Sequence, residues 1–181
     1  MDMKSKLIQS TVWWFCLFFV TALFPARFAS GENTADVSAL AAGNSRFALK
    51  LYRQLNGQEG NLFLSPYSIS TALAMTYAGA RGQTATEMAA ALDFNLPQDR
   101  LHAAFSGLGL NLQGVGGKDG VELSIANALW PQQDYPFRKA YIDLIAKGYG
   151  STGQGLDYGK PEAARGIING WVEKKTREKI K

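Results

Sequence analysis

The sequence predicts an α+β fold, and three observations carry that expectation. Val121, Leu123, Ile125 and Leu129 alternate with Glu122, Ser124, Ala126 and Ala128, the period of a strand with one face on a core. Apolar residues at helical spacing, several with their own start signals, recur on both sides of that stretch. No internal repeat is present, and helices and strands together make an α+β inventory.

Taken in order, the chain opens with Lys4 and Lys6, an apolar run from Val12 to Phe24 and the small-residue pattern Ala29-Ser30-Gly31. That order is a secretory signal peptide, with cleavage expected after Gly31; an uncleaved anchor is the alternative, and the apolar length suits it only marginally. Residues 1–31 are therefore read as a leader and 32–181 as the mature part. Cys16 lies in the leader and reads as a buried hydrophobe. Glu32 to Ala42 is expected to be a loose lead-in. Phe47, Leu51 and Leu55 then recur every fourth position in a helix ended by Asn56-Gly57.

The 32 residues from Asn61 to Leu92, NLFLSPYSISTALAMTYAGARGQTATEMAAAL, are the most informative in the chain. Leu62, Phe63 and Leu64 form a short apolar run that reads as a covered strand. Ser65-Pro66 supplies an N-cap oxygen followed by a proline suited to the first helical position. From Tyr67 to Ala80 there is no charged side chain and apolar groups cover the whole wheel, so this helix is expected to be wrapped on all sides. Gly79 and Gly82 close it, and Thr84 with Glu87 makes the T-x-x-E capping box of the next helix, which carries Met88 and Leu92.

Leu101, Phe105, Leu108 and Leu112 mark a helix after Pro97, and Gly114 to Gly120 a loop before the alternating strand. Phe137, Tyr141, Leu144 and Ile145 trace a further helix expected to stop at Gly148. Leu156 and Tyr158 suggest a short second strand. Pro161 opens the last helix, whose apolar stripe is Ile167, Ile168, Trp171 and Val172. That helix reaches Lys181 without a glycine stop or a following turn, which reads as a chain truncated before its domain is complete.

Charge and composition exclude several function classes. The chain holds 19 basic and 15 acidic groups; three bases and one acid belong to the leader, leaving 16 and 14. Seven bases and three acids lie from Lys160 onward, where Glu173 and Glu178 interrupt the cations at helical spacing. A solvated helix face explains this better than a nucleic-acid surface. Without Cys16 the mature part has no cysteine, so neither disulfides nor thiolate metal sites contribute. With one histidine as well, a structural zinc site is not expected.

Two glycine patterns fail on context. Gly148-Tyr149-Gly150-Ser151-Thr152-Gly153 fits G-x-G-x-x-G but follows a helix instead of a strand, so it reads as a helix cap and turn. Gly116-Gly117-Lys118 lacks the Ser or Thr and the first glycine of a phosphate loop. No catalytic constellation stands out: His102 is the only candidate base, it is expected to be exposed or partly packed, and Asp93, Asp99 and Asp143 are scattered.

The segment Asn61–Leu92 resembles the serpin family of serine-protease inhibitors, in the strand that leads into its central helix B and then helix C. NSRFALKLYRQL from Asn44 resembles helix A, VELSIANALWPQQDYPF the second strand of the large sheet, and IINGWVEKKTREKIK helix F. The phrase around Trp130 is closest to prokaryotic members. The resemblance implies the N-terminal half of a serpin fold, the region of helices A to F with strands of the large central sheet, in a chain about half the family's length.

It also implies a function and a mechanism. A protease attacks an exposed reactive loop, which inserts as a new strand while the trapped enzyme is distorted; the inhibitor is not itself an enzyme and uses no cofactor. Asn61, Ser65 and Ser68 match polar residues of the family's shutter, the hydrogen-bonded region that controls sheet opening, and for Ser65 simple helix capping is the competing explanation. Trp171 is expected to anchor the last helix. The small-residue loop hinge is not found between Met1 and Lys181; Met88 to Leu92 is small-rich but belongs to a helix. The partner implied is a serine or cysteine protease, met through a loop outside this chain, with no nucleic acid and no stable membrane insertion once the leader is cleaved. The parent is expected to be a secreted monomer, extracellular or periplasmic. A non-inhibitory serpin acting as a binding or chaperone-like module, and a secreted enzyme built around His102, are the alternatives.

Overall fold

The protein is described from a computed structural model over residues 28–57, 59–115, 123–151 and 154–180, with side chains from Thr34 onward. The expected leader core, Cys16 and the Gly116–Gly120 part of the loop lie outside these residues. The chain divides into units Met1–Thr34 and Ala35–Lys181. The first enters the described residues as the opening turns of α1; the second carries the core.

Six helices follow in order among the described residues: α1 Phe28–Leu55, α2 Pro66–Tyr77, α3 Gly82–Leu92, α4 Gln98–Gln113, α5 Lys139–Tyr149 and α6 Pro161–Lys175. The expected α+β fold with strands of a central sheet is not what forms. Residues 123–130, where the alternation predicts a strand, carry no ladder pairing, and the one strand-like contact among the described residues is an isolated parallel bridge between Gln132 and Leu156. Gln133 donates to the Leu156 carbonyl at 2.7 Å and Leu156 to the Pro131 carbonyl at 2.9 Å. Alternating side chains prepare a segment for a sheet, but a sheet exists only where a second segment supplies the inter-strand bonds. Leu62–Leu64 is not a covered strand either, since Phe63 is 99% exposed.

The helices correct the reading at several ends. Glu32 to Ala42, expected to be loose, is helical: Leu40 and Phe47 on α1 are both buried, and Asp36 ties α1 to Arg100 of α4 through two hydrogen bonds. α3 begins at Gly82, whose φ is +57°, with Arg81 before it and no side-chain cap. Glu87 accepts from Gln83 at 2.7 Å, so the Thr84–Glu87 capping box does not form. α5 runs past Gly148 and is stopped by Gly150 in the left-handed region at φ 61°, the conformation that favours glycine at a helix end. The G-x-G-x-x-G pattern is thus a helix cap as far as Ser151, with Thr152 and Gly153 outside the described residues.

The main core joins α1, α2, α3 and α4 through Leu40, Phe47, Ala74, Tyr77, Leu92, Phe94, Leu101, Ala104 and Phe105. Tyr77 tilts onto Phe94 and Phe105 meets Phe94 edge-on, the arrangement aromatic quadrupoles prefer. A second cluster, Met75, Ala78 and Ile145, seats α5 on α2. α2 is therefore covered on two sides. It is not wrapped all round among the described residues, because Ile69 and Leu73 stand 36% and 38% exposed. No helix of the described residues is long and apolar enough to cross a membrane.

Candidate functional site

The base of α2 is where the sequence places its candidate residues. Ser65 adopts an extended backbone at φ −113°, ψ 95°, and its hydroxyl accepts from the Ser68 amide at 3.3 Å. Pro66 then occupies the first turn, where its missing N–H costs nothing. The Ser65 hydroxyl also donates to Ser68 Oγ at 3.0 Å. The two serines are brought together; Asn61 is exposed and joins neither. Ser65 thus caps the helix, and Ser68 is half-buried beside a cleft of about 370 Å³ lined with Ser124, Ile125, Ala126, Lys175 and Thr176.

One turn further in lies a polar contact that the sequence reading missed. Ser70 is fully buried and donates to Asn44 Oδ1 of α1 at 2.7 Å. The Asn44 amide nitrogen is buried without a partner. The signal was available: a serine on a helix with no charged neighbour has to find an acceptor, and the N-S-R-F run places Asn44 on the apolar side of α1. Thr71, also buried, satisfies itself on the Tyr67 carbonyl at 2.8 Å.

Around this base the helices are cross-braced by charge. Asp93 faces Lys50 at 2.6 Å and Arg46 at 3.4 Å, and the lysine hydrogen bond, ahead of the arginine, holds its carboxyl below the usual range. Arg100 does the same for Asp36. Trp171 of α6 meets Trp130 edge-on at 5.7 Å and carries Lys175 over its ring at 6.0 Å, so it anchors the last helix on the non-helical segment.

His102 differs from its expected place. It is 4% exposed, inside the main core, with Nδ1 2.5 Å from the Tyr149 hydroxyl and Nε2 buried without a partner. Burial, and next the Arg81 charge, push its pKa down to about 4. Its hydrogen-bond partner is a tyrosine, and no group of three metal-ligating side chains exists among the described residues. This is a packed histidine that burial keeps neutral.

The family model for Serpin (serine protease inhibitor) matches residues 42–181. The chain belongs to the serpin family. Its relatives include a serpin-like protein of Methanosarcina acetivorans, 35% identical over 166 residues, which cover 89% of this chain and 38% of the relative. A serpin-like protein of Thermococcus kodakarensis is 40% identical over 152 residues, 83% of this chain and 34% of that one. The leukocyte elastase inhibitor of Sus scrofa is 39% identical over 144 residues, 78% of this chain and 37% of the inhibitor. This serpin chain therefore spans a little over a third of the length of the curated relatives it matches.

Proposed function

We propose that the full-length protein is a serine-type endopeptidase inhibitor that acts by suicide inhibition. The observation that carries the reading is the 39% identity to a leukocyte elastase inhibitor over 144 residues, 78% of this chain. The target, a serine or cysteine protease, attacks an exposed reactive loop as though it were substrate. Its nucleophile forms an acyl bond to the loop while the scissile amide breaks, and insertion of the cleaved loop distorts the enzyme before water can release it. The inhibitor contributes no catalytic residue and no cofactor.

In this reading Asn61, Ser65 and Ser68 belong to the shutter. The Ser65–Ser68 hydrogen bonds at the base of α2 support that role, because a region that opens and recloses needs a polar seam that can exchange partners. Residues 1–31 direct export and are removed, leaving residues 32–181 within a secreted, monomeric serpin domain.

Progress curves test the proposal. Elastase-, trypsin- and subtilisin-type proteases mixed with the full-length protein are expected to include one whose activity falls in a time-dependent manner to a near-equimolar endpoint. Turnover of the inhibitor by every enzyme with no loss of activity contradicts it and favours a non-inhibitory role.

A further inference from the structure

We propose that His102 and Tyr149 form an acid-sensitive latch, which holds the last turn of α5 against α4 at neutral pH and releases it in acid. The inference does not depend on protease inhibition. It rests on where the two side chains sit. Tyr149 is the final residue of α5, and its hydroxyl lies 2.5 Å from His102 Nδ1 inside the main core. The backbone fits closely there too, since a Cβ added to Gly148 would stand 3.8 Å from the His102 carbonyl oxygen. The rings of His102 and Tyr149 meet edge-on at 5.8 Å, and Phe105 also packs on Tyr149 at 5.7 Å.

The neutral imidazole suits this place and the charged one does not. Whichever partner donates between Nδ1 and the hydroxyl, Nε2 faces buried space with no partner. Protonation would require both ring nitrogens to donate, leaving one N–H of a cation unanswered in the core. The surrounding groups do little to offset this. Tyr77 of α2 is 6.2 Å away ring to ring, Arg81 between α2 and α3 adds a like charge, and Asp99 on α4 is the favourable one. Tyr149 is itself kept neutral by burial, with Tyr67 and Tyr141 behind it.

Release is expected to stop at the last turn. Upstream, Tyr141 donates to the Met75 carbonyl at 3.2 Å and Ile145 is buried against α2, contacts that do not titrate in this range. Downstream, Gly150 is in the left-handed region and the buried Ser151 hydroxyl accepts from the Leu129 amide at 2.8 Å. That bond holds the residue after the cap to the segment ending at Trp130, so the downstream side is anchored as well. The sign follows from the depressed value: the latch is intact above the ordinary histidine pKa of about 6.5, weakens as pH falls, and is spent below about 4.

The test uses full-length protein. The imidazole signal of His102, assigned by its loss in His102→Gln, is followed by NMR from pH 7.5 to 3.5 alongside amide exchange at Lys147–Ser151, corrected for intrinsic rates. The latch predicts a titration well below 6 and a protection loss of up to about a few hundredfold at those amides as pH falls from about 6.5 to below about 4. The paired variant His102→Phe with Tyr149→Phe, which keeps the aromatic packing without the titrating pair, is expected to hold protection to lower pH. An imidazole that titrates near 6.5, protection at Lys147–Ser151 that does not change with pH, or equal loss in the paired variant overturns the latch; the exchange reading needs no variant to fold.

Discussion

A Cβ on Gly43 would stand 2.5 Å from the carbonyl oxygen of Asp93, closer than real side chains approach a backbone oxygen. α1 and the end of α3 are thus in backbone contact, and the ion pairs from Arg46 and Lys50 to Asp93 form around that contact. Asp93 itself caps α3 in the left-handed region at φ 56°. Gly43→Ala is expected to force the two elements apart and to cost about 1 to 3 kcal/mol, the usual range for overpacking. Urea unfolding checks this: the midpoint should fall while the slope stays unchanged.

Ser70→Ala removes the donor to Asn44 Oδ1, in an asparagine whose amide nitrogen is already buried without a partner. The expected loss is about 1 to 3 kcal/mol, larger than for an exposed serine, because Ser70 is fully buried and its hydrogen bond joins α2 to α1. Replacing Asn44 and Ser70 together by apolar residues of similar shape should cost less than the sum of the two single changes in a double-mutant cycle.

Ser65→Ala removes a helix cap and is expected mainly to cost stability, about 0.5 to 2 kcal/mol. Ser68→Phe places a ring at the half-buried base of α2, where it overpacks the seam. In full-length protein this variant should polymerise on mild heating. Native gels distinguish the two, and an unchanged monomer fraction for the phenylalanine variant would remove Ser68 from the shutter.

What the sequence made legible was local. Ser65 and Pro66 define the start of α2 with side chains that act within one turn, and Leu101 and Phe105 lie on the buried face of α4 as their spacing requires. What it hid depends on distant partners. Asp36, in the stretch expected to be loose, pairs with Arg100 sixty-four positions away. His102 looks like an ordinary residue near a helix start until Tyr149 is folded over it. The alternation from Val121 to Leu129 predicts a strand that does not form among the described residues, because a sheet is made by the partner segment and a pattern carries no information on whether one lies alongside.

The leader has its own test. Mass spectrometry of the secreted product is expected to find Glu32 at the N-terminus, because a basic start, an apolar run and Ala29-x-Gly31 occur in the order a signal peptidase needs. An intact Met1 start recovered in a membrane fraction would favour the anchor.

The central claim, that this serpin inhibits by covalent trapping, is tested most directly by denaturing electrophoresis of the full-length protein after incubation with an active serine protease. The account predicts a band that survives boiling in detergent, whose mass is that of the protease plus the inhibitor cut at its reactive loop, and that is absent when the protease nucleophile is blocked beforehand. Inhibitor cleaved to completion with free, active protease and no such band would contradict it.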